Sequence, residues 1–214
     1  MADANDRQPR GDDPRVQRSL KSLQDAMLTL VDSQTLEQIS ITALVKAAGV
    51  TRPTVYQHFN DINDAARRVA LIRLASAFQV PDPFPPRFDF STDSVRAYVD
   101  AQALPVVAHL KEHREFYLRV LDGAGNAAFF DEIVSFIADR FLPDVYEIAA
   151  RKQAALKDDL MTVMAGGALS LMIRWLRDTA SPVSADEMAH RIAAIAATFL
   201  APQPEGIKPN STKP

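Results

Sequence analysis

The chain has 214 residues, 47% of them hydrophobic, and a formal net charge of −3, which is enough apolar material for a proper core and too little positive charge to coat nucleic acid indiscriminately. It contains no cysteine, which removes disulfide frameworks, thiolate metal sites and cysteine nucleophiles together. No apolar run approaches the ~18–20 residues of a membrane span, and the N-terminus is too polar for a secretory leader, so the expectation is a cytoplasmic protein with no membrane partner. Charge is spread unevenly, with ten Lys/Arg against nine Asp/Glu through residue 80 and fourteen against eighteen after it. Arg7, Arg10, Arg15, Arg18 and Lys21 form a local basic arm ahead of the first core.

In chain order, residues 1–14 read as a disordered polar tail. A helix follows from Arg15, with Leu20, Leu23, Met27, Leu30 and Val31 on one face, and fades around Asp32–Gln34. Ser40 is placed to cap a short helix whose apolar residues Ile41, Leu44, Val45 and Ala48 follow i, i+3, i+4, i+7. Gly49 stands where a left-handed C-cap is needed. A second short helix covers Thr51–Phe59, and a third runs from Asp61 to about Gln79, apolar on most faces. The stretch Pro81-Asp82-Pro83-Phe84-Pro85-Pro86 ends helical structure and marks a domain boundary. Beyond it the spacing predicts only helices: Ser91 to about Lys111 with a kink at Pro105, about Arg114–Leu121, Asn126 to about Arg151 with a break at Pro143, about Leu156–Thr179, and Ser184–Leu200. Residues 202–214 read as a disordered tail. The expected fold is all-α, with domains at 15–80 and 81–201.

The short second helix carries the functional signal. On a helical wheel Val55 and Phe59 fall together and face inward, onto Leu44, Val45 and Ala48. Pro53, Thr54 and Gln57 then face outward, flanked by Arg52 and Tyr56 on one side and His58 on the other. No acidic residue lies between Ala43 and Asn60. A major groove admits one such helix, with central side chains meeting base edges and flanking donors meeting phosphates. Either Thr51 or Arg52 is the N-cap: Thr51 has the better capping side chain, whereas Pro53 prefers the first helical position.

The run Ile41-Thr42-Ala43-Leu44-Val45-Lys46-Ala47-Ala48-Gly49-Val50-Thr51-Arg52-Pro53-Thr54-Val55-Tyr56-Gln57-His58-Phe59 resembles, without gaps, the helix-turn-helix of the TetR family of transcriptional repressors. The resemblance extends over about residues 15–80. It implies a three-helix DNA-binding domain, base contacts from Arg52, Pro53 and Gln57, and phosphate contacts from Thr42, Thr51, Thr54, Tyr56 and His58. Two family features are missing: the Lys early in the linking helix, where this chain has Asp61, Ile62 and Asn63, and the Gly-aromatic pair, replaced by Gln34-Thr35-Leu36.

Residues 160–197 resemble the family's C-terminal dimerisation segment, with Gly166-Gly167 and Trp175 in place. The resemblance implies a homodimer whose interface includes Leu160, Met164, Gly167, Leu171, Met188, Ile192, Ile195 and Phe199. It further implies that the intervening helices enclose a pocket for a small-molecule effector, for which Tyr98, Gln102, His109, Phe116, Tyr117, Phe136, Asp139, Arg140, Tyr146, Met161, Met164 and Trp175 are the candidates. The function implied is a ligand-responsive repressor that binds a palindromic operator as a dimer, with no cofactor and no catalysis. Two rivals stand beside it. One is a helical interaction module with a degenerate DNA-binding head. The other is a zinc hydrolase, because His109-Leu110-Lys111-Glu112-His113 matches H-x-x-E-H.

Overall fold

A computed structural model of the chain describes residues 13–78, 88, 90–140, 157–180 and 183–200. Among the described residues it holds nine α-helices, one 3-10 turn and no strand, in agreement with an all-α fold. Both expected tails beyond Asp13, the Pro81–Pro86 boundary, the break at Pro143 and Tyr146 lie outside the described residues.

The chain forms two compact units. Among the described residues, the first comprises those in 13–76 and 113–131, the second those in 77–112 and 132–200. In the first unit, α1 (Pro14–Ser33) starts at Asp13, whose carboxylate accepts from the Arg15 N–H at 2.8 Å. A 3-10 turn, Leu36–Gln38, is closed by the Gln38 side chain accepting the Thr35 N–H at 3.2 Å. Next come α2 (Ile41–Ala48), capped by the Ser40 hydroxyl, and α3 (Arg52–His58). The helix α4 (Ile62–Ala75) is capped by Asp61 and ends earlier than the apolar pattern suggested. Its inward side is Ala65, Ala66, Val69, Ala70 and Leu74, while Ile72 is exposed. The helix is therefore buried on one broad face and not all round.

The division by contacts departs from the one read in sequence. The helix α6 (Arg114–Ala124) packs against α1, α4 and the 3-10 turn, whereas the sequence placed it in the 81–201 domain. It also continues through Gly123 to Ala124, past the expected end near Leu121. A Cβ on Gly123 would sit 2.8 Å from Leu36 Cβ, so the glycine permits close approach to the turn. The arginine Arg119 donates to the Val31 and Asp32 carbonyls at 2.9 and 2.8 Å, satisfying the open C-terminus of α1. The guanidinium of Arg73 forms a two-pronged pair with Asp32 at 2.7 Å and lies 4.1 Å from the Phe116 ring centre.

In the second unit, α5 (Thr92–Glu112) contains Pro105 in its interior. It is followed, after α6, by α7 (Ala127–Arg140), whose residues 127–131 count with the first unit, and by α8 (Lys157–Arg177) and α9 (Ala185–Leu200). The N–H of Phe129 bonds the Asn126 side chain at 2.8 Å, as the capping pattern requires. The pair α5 and α9 forms the main packing, around Val95, Val99, Ala193, Ala196, Ala197 and Leu200.

Candidate nucleic-acid interface and effector cavity

The turn between α2 and α3 is built by one glycine. Gly49 takes φ 65°, ψ 30°, and the next N–H, of Val50, returns to the Val45 carbonyl at 3.3 Å. That geometry is cheap for glycine and strained for any residue with a Cβ. The chain then enters α3 with Thr51 at the N-cap, Arg52 first in the helix and Pro53 second. The open choice of cap is thereby settled for Thr51, although its hydroxyl bonds the Thr54 hydroxyl at 2.8 Å instead of a backbone N–H.

Val55 and Phe59 are fully buried, 0% and 2% exposed, as the wheel requires. On the outside, Thr42, Thr51, Arg52, Pro53 and Gln57 are exposed, Tyr56 is 51% exposed and Thr54 is half-buried. The result is a short braced helix presenting a guanidinium, an amide, a phenol and hydroxyls, with no carboxylate on the helix itself.

His58 behaves differently from the flanking donor expected of it. It is half-buried, and its Nε2 lies 3.1 Å from Ser19 Oγ of α1. Burial, with Arg68 nearby, holds its pKa below the ordinary value, so the ring is neutral at pH 7 and ties α3 to α1. The start of α4 is fixed by Asp64, which is 7% exposed. Its carboxylate accepts from the Asn60 backbone N–H (2.9 Å), the Asn60 side chain (3.1 Å) and Arg68 Nε (2.9 Å). Burial alone would raise that carboxyl, but these donors outweigh it and hold it below the usual range. Sequence reading missed Asp64, and the only signal available was its i, i+4 spacing from Arg68.

The pocket candidates scatter. Phe116 and Tyr117 are buried in the first unit. Burial also pushes the Tyr117 phenol up, with Arg73 partly offsetting it. Tyr98, Met161 and Met164 pack against the α5–α9 core. Gln102 and His109 are half-buried on α5, and Asp139 is exposed on α7. Trp175 donates to the Val183 carbonyl at 2.9 Å and lines an open surface hollow of about 810 Å³ with Leu171, Arg174, Met188 and Ile195.

The second unit does contain a small apolar void, partly open to solvent. It is lined by Phe78, by Ala103, Val106 and Val107 of α5, by Ile137 of α7, by Ala168 and Met172 of α8, and by Ile192 of α9. Its volume is about 20 Å³, room for one water-sized sphere. None of the candidate pocket residues lines it. Phe136 meets Phe78, a lining residue, edge-on at 5.6 Å while Arg140 lies over its ring at 3.9 Å. The aliphatic neighbours at 103 and 137 face the void, one position along from the polar and aromatic residues at 102 and 136 that chemistry had favoured.

The expected interface residues also divide. Met188 and Ile192 are 3% and 6% exposed and belong to the subunit's own core, and Leu160 and Met164 pack on that core. Gly167, Ile195 and Phe199 remain exposed, Leu171 is half-buried, and Val163 joins them at 65% exposed. The pattern at residues 109–113 does not assemble: α5 ends at Glu112 and His113 leaves helical geometry. Among the described residues no group of three or more His, Asp or Glu is placed to hold a metal.

Residues 100–198 match a protein-family model, TetR_C_8, described as a transcriptional regulator C-terminal region. No curated protein matches the chain. Among solved structures it is similar to AlkX, a TetR family repressor from Dietzia sp. implicated in biodegradation of n-alkanes. That alignment has 16% identity, covers 85% of this chain and 94% of that one, and has a TM-score of 0.49. It is similar also to NalD, the secondary repressor of the MexAB-OprM multidrug efflux pump in Pseudomonas aeruginosa, at 17% identity, 88% and 98% coverage and a TM-score of 0.45.

Proposed function

We propose that the chain is a TetR family transcriptional regulator, a reading supported by the family-model match over residues 100–198, and that it is a cytoplasmic repressor that binds a palindromic DNA operator as a homodimer and releases it when a small molecule enters the second unit. The observation that carries the DNA reading is α3, a two-turn helix anchored by buried Val55 and Phe59, with Arg52, Pro53, Tyr56 and Gln57 exposed. In this reading Arg52, Pro53 and Gln57 meet base edges, and Thr42, Thr51, Thr54 and Tyr56 meet phosphates on either wall of the groove. His58 then acts one step back, holding α3 through Ser19.

Dimerisation is supported by the surface of α8 and α9. Residues 158–177 of α8 are long and apolar enough to cross a membrane by length and composition, at a mean hydropathy of 1.2, yet only 22% of that window is buried within the subunit. Together with Ile195 and Phe199, this leaves apolar area that a second copy would cover. Two-fold symmetry matches half-sites about 34 Å apart, or a multiple. The effector reading draws on the void in the second unit and on the kink-permitting Pro105 beside it. A ligand that binds the DNA-free conformation better shifts the population toward it.

The test is selection from random duplexes with the full chain. A two-fold symmetric site is expected, and Arg52→Ala is expected to weaken binding by about 1–3 kcal/mol while relaxing preference at one position of each half-site. Recovery of no symmetric site would instead favour an interaction module that has lost DNA binding.

A further inference from the structure

We propose that the effector is an uncharged apolar molecule without hydrogen-bonding groups on the part that enters, a hydrocarbon chain or simple aromatic ring, and that it binds by enlarging the void bounded by Ala103, Val107, Ala168 and Met172. The inference rests on the reading of an effector site in the second unit and specifies its chemistry.

Three observations carry it. First, the lining is wholly apolar: among the described residues no polar atom faces the space. A ligand group able to hydrogen-bond would enter unpaired, at a cost that a purely apolar body avoids. Dry apolar cavities in protein cores accept benzene and xenon for the same reason. The half-buried Gln102 and His109 lie on the same helix and contribute nothing to the lining.

Second, the surrounding walls are of a kind that yields. Met172 is unbranched and rotates readily into alternative packings. Ala103 and Ala168 fill their positions with a methyl group each, so they set no bulky limit on the enlarged space. Gly166 and Gly167 precede Ala168, and a Cβ on Gly166 would come no nearer than 3.9 Å to its neighbour, while one on Gly167 would meet nothing within 4 Å. Two glycines in a helix interior also weaken that turn.

Third, the void adjoins the one position in α5 where the helical ladder is interrupted. Pro105 has no N–H to give the Ala101 carbonyl, and Ala103, Val106 and Val107 on either side of it line the space. Bending at that point widens the void without breaking a further backbone hydrogen bond. The void is far below the ~300 Å³ of an ordinary ligand pocket, so occupancy requires helix displacement.

The experiment uses the full chain and the duplex obtained by selection, with benzene and n-hexane as probes and hexanoate and hexylammonium as charged counterparts. The thermal midpoint is expected to rise by about 5–10 °C with either apolar probe at a hundred times its Kd, and duplex affinity to fall at least tenfold. The charged counterparts are expected to do neither at equal concentration. Ala168→Leu, which fills the space, is expected to remove the shift and keep duplex binding. Should that variant fold poorly, the Met172 methyl resonance of the unmodified chain decides: it moves on titration with benzene if the void is the site. A midpoint unmoved by saturating apolar probes, a Met172 signal unmoved while the midpoint rises, or a preference for the charged probes overturns the proposal. Duplex release by a polar metabolite would overturn it and leave the effector-responsive reading intact. Absence of any duplex binding would defeat that reading instead.

Discussion

At the scale of single residues, Gly49 and three titrating groups make the clearest claims. Gly49 is left-handed with open space around its missing Cβ, so the cost of substitution is conformational and not steric. Gly49→Ala is expected to destabilise the first unit by about 1 kcal/mol in a urea melt, and Gly49→Asn by less, because asparagine tolerates this region better. The carboxyls of Asp32 and Asp64 are held below their ordinary value of 3.8, Asp32 chiefly by its Arg73 hydrogen bonds and Asp64 by Asn60 and Arg68 against its burial. A depressed carboxyl contributes stability that is fully present above the unfolded value and is lost as pH falls through the folded one. The His58 imidazole is also depressed from 6.5, which makes the unfolded chain the better proton acceptor. Its contribution is therefore full above 6.5 and declines as pH drops toward the folded value. The urea midpoint should fall gently between pH 7 and 5 and steeply below 4, and His58→Gln should flatten the first limb while Asp64→Asn flattens the second.

At the scale of elements, the helix-turn-helix was legible because each of its signals is local. Ser40, Gly49, Val55 and Phe59 act within a turn or two of chain, where spacing translates directly into geometry. The clamp on α6 was not legible. Arg73 reaches Asp32 across 41 residues and Arg119 reaches Val31 across 88, and no local pattern distinguishes those arginines from solvated ones. The apolar void of the second unit was missed for a related reason: periodicity picked the right helices, but a rotation of about 100° per residue separates Gln102 from Ala103 and Phe136 from Ile137. The clamp has a measurable consequence. Arg73→Ala removes a two-pronged charged pair and a cation–ring contact at once, and should cost on the order of 2–3 kcal/mol. Gly123→Val, which drives a branched side chain into Leu36, should detach α6 from the turn. Both are expected to raise amide exchange in α1 and α6 before α5 or α9 is affected.

At the scale of the whole molecule, subunit association should depend on a small apolar face. Val163 and Phe199 are exposed at 65% and 60% and take no part in the subunit's own core. Val163→Glu with Phe199→Ser is expected to shift sedimentation from dimer to monomer at micromolar concentration while leaving helix content unchanged. Duplex affinity should fall by more than tenfold, since one reading head then binds alone. A dimer that persists in this double variant would place the interface elsewhere.

The segment carrying α6 leaves the second unit at residue 112, packs with the first and returns at residue 131. The DNA-reading head is thus discontinuous in the gene product, and a cut after residue 76 does not liberate it. Such a fragment would carry Asp32 and Arg73 without Phe116 and Arg119, and Leu36 without its cover. Grafting this head onto another regulator's body therefore demands two transplanted stretches, and a chimera made by a single crossover near the prolines should express as a poorly folded reader unless the recipient's own α6 happens to fit.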